Sequence, residues 1–331
     1  MIIVSVKHTV RSQMKIVLFA NHVAALPVLD YFHSQEWLSA VISTDKLHSE
    51  NLQIEDYCKQ QAIPFYKVVR EEIKTTILSL FKRIKPDLAF MCGFTYQIPA
   101  ELFSIPALGF FNLHFSLLPA YGGPDPIFWQ LKNGEETGGI TIHKVAADFD
   151  SGEVVMQQQI PFIPGENWGI CNSRYAPVVF NMITLLTQKL MQNDRIEVTK
   201  ASNYHSSYYP KPSAEDMAIL WDTHTSEQIE QLVNACNPCA NGAITLFKKQ
   251  MVRILEVSPV GGVGDSSLSG GSIVHADGSG LYVQCADQKI IRINILKLKE
   301  GFMTGFKLAA LGVNKGDCFE NIILKNLSII S

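Results

Sequence analysis

The chain has 331 residues, 47% of them hydrophobic and 18% charged, with a formal net charge of −3. That length favours two domains over one core, and the composition excludes a disordered chain. From Glu215 to the end there are 10 Lys/Arg against 12 Asp/Glu, net −2, which excludes the basic excess of a typical nucleic-acid binder.

No apolar run approaches the roughly 20 residues that span a bilayer, and the apolar run in "MIIVSVKHTVRSQ" is too short for a secretory signal. A cytoplasmic protein is expected. The seven cysteines are scattered and odd in number, against a disulfide framework. Cys236 and Cys239 form a lone C-x-x-C with no second ligand pair for zinc. The pair follows an apparent helix instead of opening one, as a redox motif would. No metal site is expected.

Residues 1–13 read as an N-terminal extension, because Met14 opens "MKIVLFA", a good first strand. Strand-length apolar runs at 14–20, 37–43, 64–68, 87–92 and 109–115 alternate with helix-period segments at 22–34, 51–61, 70–85 and 98–105. This alternation predicts an α/β fold: a Rossmann-like, mostly parallel sheet with helices on both faces and ligands at the carboxyl ends of the strands. A short helix "IFWQLKNGE", two strands "GGITIHKVAADFD" and "GEVVMQQQIPF", and a helix over about 167–193 complete a domain at 14–193. Residues 194–214 lack periodicity, contain two prolines and read as a linker. Within 215–331, a helix at about 225–236 precedes short strands "GAITLF", "QMVRILEVSPV", "GSIVHA", "GLYVQCA" and "KIIRINILKLK". Their near-even spacing predicts a small, OB-like β-barrel.

"FFNLHFSLLPAYGG", residues 110–123, carries the chemistry. Asn112 and His114 lie two apart on a strand and share a face, while Leu113 points the other way into the core. Polar groups at the end of a buried strand need partners, water or a substrate. Asp150, in "ADFDSGEVV", lies where the chain turns between two strands that return beside 109–115. An amide can bind a developing oxyanion. An imidazole exchanges protons near neutrality, and a carboxylate beside it favours the protonated ring. The set suits acyl transfer to an amine and needs no Ser or Cys nucleophile. Taken singly, an Asn or His at a strand end is more often a satisfied hydrogen-bonding residue.

Asn112-x-His114, Ser116-Leu117-Leu118-Pro119, Thr137-Gly138 and Asp150-Ser151-Gly152 resemble the shared pattern of the folate-dependent formyltransferases. That family includes methionyl-tRNA formyltransferase, the aminoarabinose (sugar-nucleotide) N-formyltransferases and glycinamide ribonucleotide transformylase. The resemblance covers about 14–190 and, more weakly, 210–325. It implies formyl transfer from N10-formyltetrahydrofolate to a primary amine, as part of one-carbon metabolism. Asn112 and His114 would stabilise the tetrahedral intermediate, His114 would handle the proton, and Asp150 would raise its basicity. Folate would lie between 91–99, the Ser116–Pro119 turn and the 146–150 loop. Met91, Phe94 and Ile98 would supply apolar surface there, and the backbone of Ala146, Ala147, Asp148 and Phe149 would read the pterin edge. Core packing is the competing reading of the three apolar residues. One departure stands out: Pro124 falls where the aminoarabinose enzyme has a folate-contacting arginine, with Tyr121 and Asp125 as nearby substitutes.

Differences within the family bear on the acceptor. The first strand leads into "FANHVAALP", not the Gly-rich phosphate turn of the glycinamide ribonucleotide enzyme. The segment "STDKLHSENLQ" is short and nearly neutral, unlike the long basic insertion of methionyl-tRNA formyltransferase, and tRNA binding needs phosphate neutralisation. The short insertion and the tail "LAALGVNKGDCF" resemble the aminoarabinose branch. A small amine, above all a nucleotide-linked amino sugar, is the expected acceptor, with methionyl-tRNA the alternative; no membrane partner is expected, and a homodimer stays open. A folate-binding module with idle catalytic residues is the non-enzyme alternative, and hydrolysis of the formyl group is another enzymatic one.

Overall fold

A computed structural model describes residues 14–46, 48–199 and 206–322. The expected 1–13 extension therefore lies outside the described residues. The chain divides into two compact units. One holds residues up to Pro126 with Gly138–Ile160 and Asn172–Tyr209; the other holds Ile127–Thr137, Pro161–Cys171 and Pro210 onward. The short segments 127–137 and 161–171 thus cluster with the C-terminal unit although they sit within the 14–193 range.

The first unit contains β1 (Ile16–Ala20), α1 (Leu26–Ser34), β2 (Leu38–Thr44), α2 (Ser49–Gln60), β3 (Phe65–Val68), α3 (Ile73–Ile84), β4 (Leu88–Cys92), α4 (Ala100–Phe103) and β5 (Phe110–His114). After α5 (Pro126–Lys132) come β6 (Thr137–Lys144), β7 (Val154–Pro161) and α6 (Trp168–Met191). The strands form one sheet in the order β3-β2-β1-β4-β5-β6-β7. Neighbours from β3 to β5 pair in parallel, and β6 runs antiparallel to β5.

Strand alternation explains the layering. Val17, Phe19, Ala89 and Met91 pack in one cluster with Ile77, Leu80 and Phe81 of α3. Phe90 points to the opposite face, where it stacks on Phe32 of α1 with centroids 6.1 Å apart. Helices therefore cover both faces, and β1 and β4 are buried throughout. Truncating a fully buried phenylalanine such as Phe19 costs about 3–5 kcal/mol.

The expected helix at 98–105 shrinks to the single turn α4, and the strand expected over 138–150 leaves the sheet after Lys144. Both breaks supply loops to the rim of β5.

The C-terminal unit continues with α7 (Ser226–Cys236), β8 (Ala243–Phe247), β9 (Gln250–Val263), β10 (Ile273–Asp277), β11 (Gly280–Gln284), β12 (Lys289–Leu298), β13 (Gly301–Thr304), α8 (Gly305–Ala310) and β14 (Phe319–Glu320). Its strand order is β10-β11-β12-β9-β8-β14, with β13 paired to β12. An antiparallel bridge between Ser272 and Cys318 joins the β10 end to the β14 end and curls the sheet into a small barrel. Trp221 fills it, stacked on Phe319 at 5.5 Å and donating its indole N–H to Thr245 Oγ1 at 2.8 Å. α7 opens with a capping box between Thr225 and Gln228. Cys236 is buried and Cys239 exposed.

Candidate active site

β5 brings Asn112 and His114 to one face at the carboxyl end of the parallel strands, while Leu113 is buried on the other. Antiparallel pairing sets Asn112 opposite His143 and His114 opposite Thr141. Asp150 arrives from the loop between β6 and β7 with a left-handed φ of 54°. Gly152 makes that return tight: a Cβ there would stand 1.7 Å from the Lys144 carbonyl oxygen. The glycine of the Asp-x-Gly motif thus lets the chain fold back against β6 and deliver the carboxylate.

The three groups converge. Asp150 Oδ1 lies 3.4 Å from His114 Nδ1 and 3.6 Å from His143 Nε2. Asp150 Oδ2 accepts the Gly123 N–H at 2.9 Å. His114 Nε2 donates to the Tyr121 carbonyl at 2.8 Å, since a carbonyl can only accept. By the same logic His143 Nδ1 donates to the Lys144 carbonyl at 2.9 Å. His143 Nε2 then accepts from Asn112 Nδ2 at 3.0 Å. This chain fixes the Asn112 amide with its NH₂ group inward and leaves a second N–H for a ligand.

Burial pushes the His114 pKa down, against Asp150 and the Tyr121 carbonyl, which both raise it. The expected gain in basicity from Asp150 is present, but desolvation outweighs it, and the ring rests neutral at neutral pH. Burial by itself would raise Asp150. Attraction to the His114 ring in its protonated form, the neighbouring His143 ring and the Gly123 amide together hold it below the usual carboxylate range.

Asn112, His114 and Asp150 line a cavity of about 520 Å³, together with Met91, Phe94, Tyr96, Phe149 and Tyr208. A narrow cleft of about 30 Å³ beside it is lined by Ile98, Ala146, Asp148 and Phe149, and shares Met91, Asn112 and Asp150 with the larger space. Met91, Phe94 and Ile98 also belong to the hydrophobic cluster under the sheet, so the same side chains are core residues and cavity wall. Gln97 Nε2 donates to the Ala147 carbonyl, tying the two walls of the cleft.

The Ser116–Pro119 turn is not brought to the cavity. Ser116 is fully buried and donates to the Ala120 carbonyl at 2.7 Å. Leu117 packs against Gly139, and Leu118 N donates to Thr141 Oγ1 at 3.1 Å. Pro119 offers its carbonyl to Ser207 N at 3.1 Å. The polar groups of Ser116, Leu117, Leu118 and Pro119 are taken up in shaping the turn, and Phe115, Gly123 and Pro124 line the cavity.

Four contributors carry no signal legible in the sequence. His143 could be found only through the β5–β6 register. The Tyr121 carbonyl and Gly123 amide are backbone groups with no residue-type signal. Arg70, the one cation in the larger lining, comes from the turn before α3 and sits over the Tyr96 ring at 5.1 Å. Pro124 lines the same cavity. No cluster of metal-ligating residues occurs among the described residues.

Comparison with known proteins gives a consistent picture. The family model described as formyl transferase matches residues 14–184, and that of the formyl transferase C-terminal domain matches 211–307. Methionyl-tRNA formyltransferase of Syntrophus aciditrophicus is 30% identical over 183 residues, 55% of this chain and 58% of that protein. The same enzyme of Geotalea uraniireducens is 28% identical over 259 residues, 76% of this chain and 80% of that one. Among solved structures, HypX from Aquifex aeolicus, in complex with tetrahydrofolic acid, superposes with a TM-score of 0.64 at 15% identity. The match covers 91% of this chain and 48% of HypX. An N-formyltransferase from Helicobacter canadensis, in complex with folinic acid and dTDP-3-aminofucose, gives 0.64 at 19% identity over 85% of this chain and 98% of that one. At those identities the two structures share the fold.

Proposed function

This chain belongs to the formyl transferase family, and from that premise we propose that it transfers a formyl group from N10-formyltetrahydrofolate to the primary amine of a small acceptor, a nucleotide-linked amino sugar. The observation that carries this reading is the convergence of the Asn112 amide, the His114 imidazole and the Asp150 carboxylate on the wall of one cavity.

The acceptor amine attacks the formyl carbon, and the Asn112 N–H meets the negative charge that develops on oxygen. His114, neutral because it is buried, takes the proton that the amine loses. With Nε2 already donating to Tyr121, that proton enters at Nδ1, where Asp150 stabilises the imidazolium. The bond from the formyl carbon to N10 then breaks. N10 recovers the proton, so the step is balanced as formamide plus tetrahydrofolate. Met91, Phe94, Ile98 and Phe149 would hold the donor. The acceptor's anionic portion would meet Arg70.

Two features favour a small acceptor over methionyl-tRNA. Only residues 45–48 connect β2 to α2, with no room for a basic insertion. The C-terminal region from Glu215 carries net −2, where tRNA binding would require phosphate neutralisation. The breadth of the match to a methionyl-tRNA enzyme, over 80% of its length, supports the second reading. We place the protein in the cytoplasm, where reduced folates and sugar nucleotides are made; among the described residues no helix is long and apolar enough to cross a membrane.

The test is direct. Purified protein with N10-formyltetrahydrofolate and dTDP- or UDP-linked amino sugars should yield the N-formyl sugar by mass spectrometry, without tRNA. Turnover confined to methionyl-tRNA would replace the sugar reading with the second one.

A further inference from the structure

Asn112, His114 and Asp150 account for the chemistry but not for the "AYGG" that follows the Leu-Leu-Pro turn. Tyr121 has φ 57°, a left-handed conformation that costs a non-glycine residue about 1–3 kcal/mol. That conformation turns its carbonyl to His114 Nε2 and, at 3.3 Å, to Ser116 Oγ.

The cost is met by a segment 86 residues away in sequence. Tyr121 N donates to Ser207 Oγ at 2.9 Å, and the Tyr121 ring stacks on Tyr209 with centroids 5.1 Å apart and planes at 11°. Around this point Gly122 N donates to the Ser207 carbonyl at 2.8 Å, and Tyr209 N to the Gly122 carbonyl at 2.8 Å. Gly123 must lack a side chain: a Cβ there would stand 2.0 Å from the Tyr209 carbonyl oxygen, and its φ is 112°. The neighbouring Gly123 N–H is the one that binds Asp150. Residues 206–209, within the stretch expected to be a linker, thus strap down both backbone groups that hold the His114–Asp150 pair.

We propose that this strap sets the tautomer of His114, with the proton on Nε2 toward Tyr121 and Nδ1 open toward Asp150, and that Ser207 and Tyr209 are positioning residues for the proton-transfer step. The competing tautomer would give its proton to Asp150 at 3.4 Å. It would also leave two acceptors, Nε2 and the Tyr121 carbonyl, facing each other at 2.8 Å. The shorter contact wins, and Asp150 already has the Gly123 amide. The reverse arrangement would fill the atom that must receive the amine's proton. The effect on rate rests on the formyl-transfer reading; the tautomer does not.

Long-range ¹H–¹⁵N spectra of protein labelled at histidine, assigned by the signals lost in His114→Gln, read the tautomer directly. The expected result is an Nε2–H ring in the wild type near pH 7.5. Tyr121→Gly and Tyr121→Val both lose the ring stacked on Tyr209, but only glycine adopts positive φ freely. The valine variant should therefore show mixed tautomers and a kcat about tenfold below that of the glycine variant, a fraction of the roughly 10²-fold cost of misplacing a catalytic group by 1 Å. KM for the folate should change little in either. Should the valine variant not fold, Ser207→Ala must show the same tautomer mixing with a smaller drop in kcat. An Nδ1–H ring in the wild type, or a pure Nε2–H ring in both Tyr121→Val and Ser207→Ala, would overturn the proposal. Absence of formyl transfer by the wild type would refute the function alone.

Discussion

Two cavities of nearly equal size, about 520 Å³ at the rim of β5 and about 490 Å³ in the C-terminal unit, differ in what lines them. The first gathers an amide, an imidazole, a carboxylate, aromatic rings and one guanidinium. The second is lined by Glu135, Glu136, Glu166, Glu227 and Glu230, with Phe162 and Gln231 among its other walls. In the first, opposed influences leave His114 neutral and Asp150 ionised. In the second, burial and the nearby Glu227 push Glu230 upward, as crowding of like groups does. Volume alone does not distinguish them; unlike groups holding one another in defined protonation states do.

The sharpest way to break the contrast is at the oxyanion. Asn112→Ala should lower kcat by about 10²–10³-fold, the scale of one lost donor, with the donor's Kd little changed. Asp150→Asn should cost about 10²-fold or more in the chemical step. It should also move the acid limb of the pH–rate profile to lower pH, because Asp150 is a group that raises His114. Arg70→Ala should raise the KM of the acceptor, whose anionic portion it would meet, about tenfold, the order of one charge-assisted hydrogen bond, with the KM of the donor little changed in steady-state kinetics varied in each substrate. In the other cavity, Glu227→Gln combined with Glu230→Gln should leave kcat/KM within about twofold, since nothing there converges on a reacting group.

A smaller effect concerns stability. His22, His114 and His224 are all lowered, chiefly by burial. Below the ordinary histidine pKa of about 6.5 the unfolded chain binds more protons than the folded one, so stability should fall as pH drops from there toward the depressed folded values. Urea midpoints at pH 7.5 and 5.5 measure this, and a higher midpoint at 5.5 would contradict it.

The sequence carried the parts of the fold that obey simple periods. The β-α alternation to residue 115, the shared face of Asn112 and His114, and the short barrel strands were all legible. Two-residue β14 and six-residue α8 were not, because neither is long enough to show a period. Within the site, Asp150 could be expected from the chain's return, but His143 depends on the antiparallel register of β6 against β5. The motif of the Ser116–Pro119 turn is legible in the sequence, but the partners that hold it, Thr141, Ala120 and Ser207, are not. The strap at 206–209 was invisible for a different reason. Its contacts span 86 residues and run largely through backbone atoms, whose pairing no residue type announces.

Single-turnover formyl transfer by Asp150→Asn, measured beside the equilibrium binding of 5-formyltetrahydrofolate, tests the central claim most directly. The account predicts a rate lower by about 10²-fold or more with binding affinity within about twofold of the wild type. An unchanged rate, or a loss of binding that accounts for the whole effect, would contradict it.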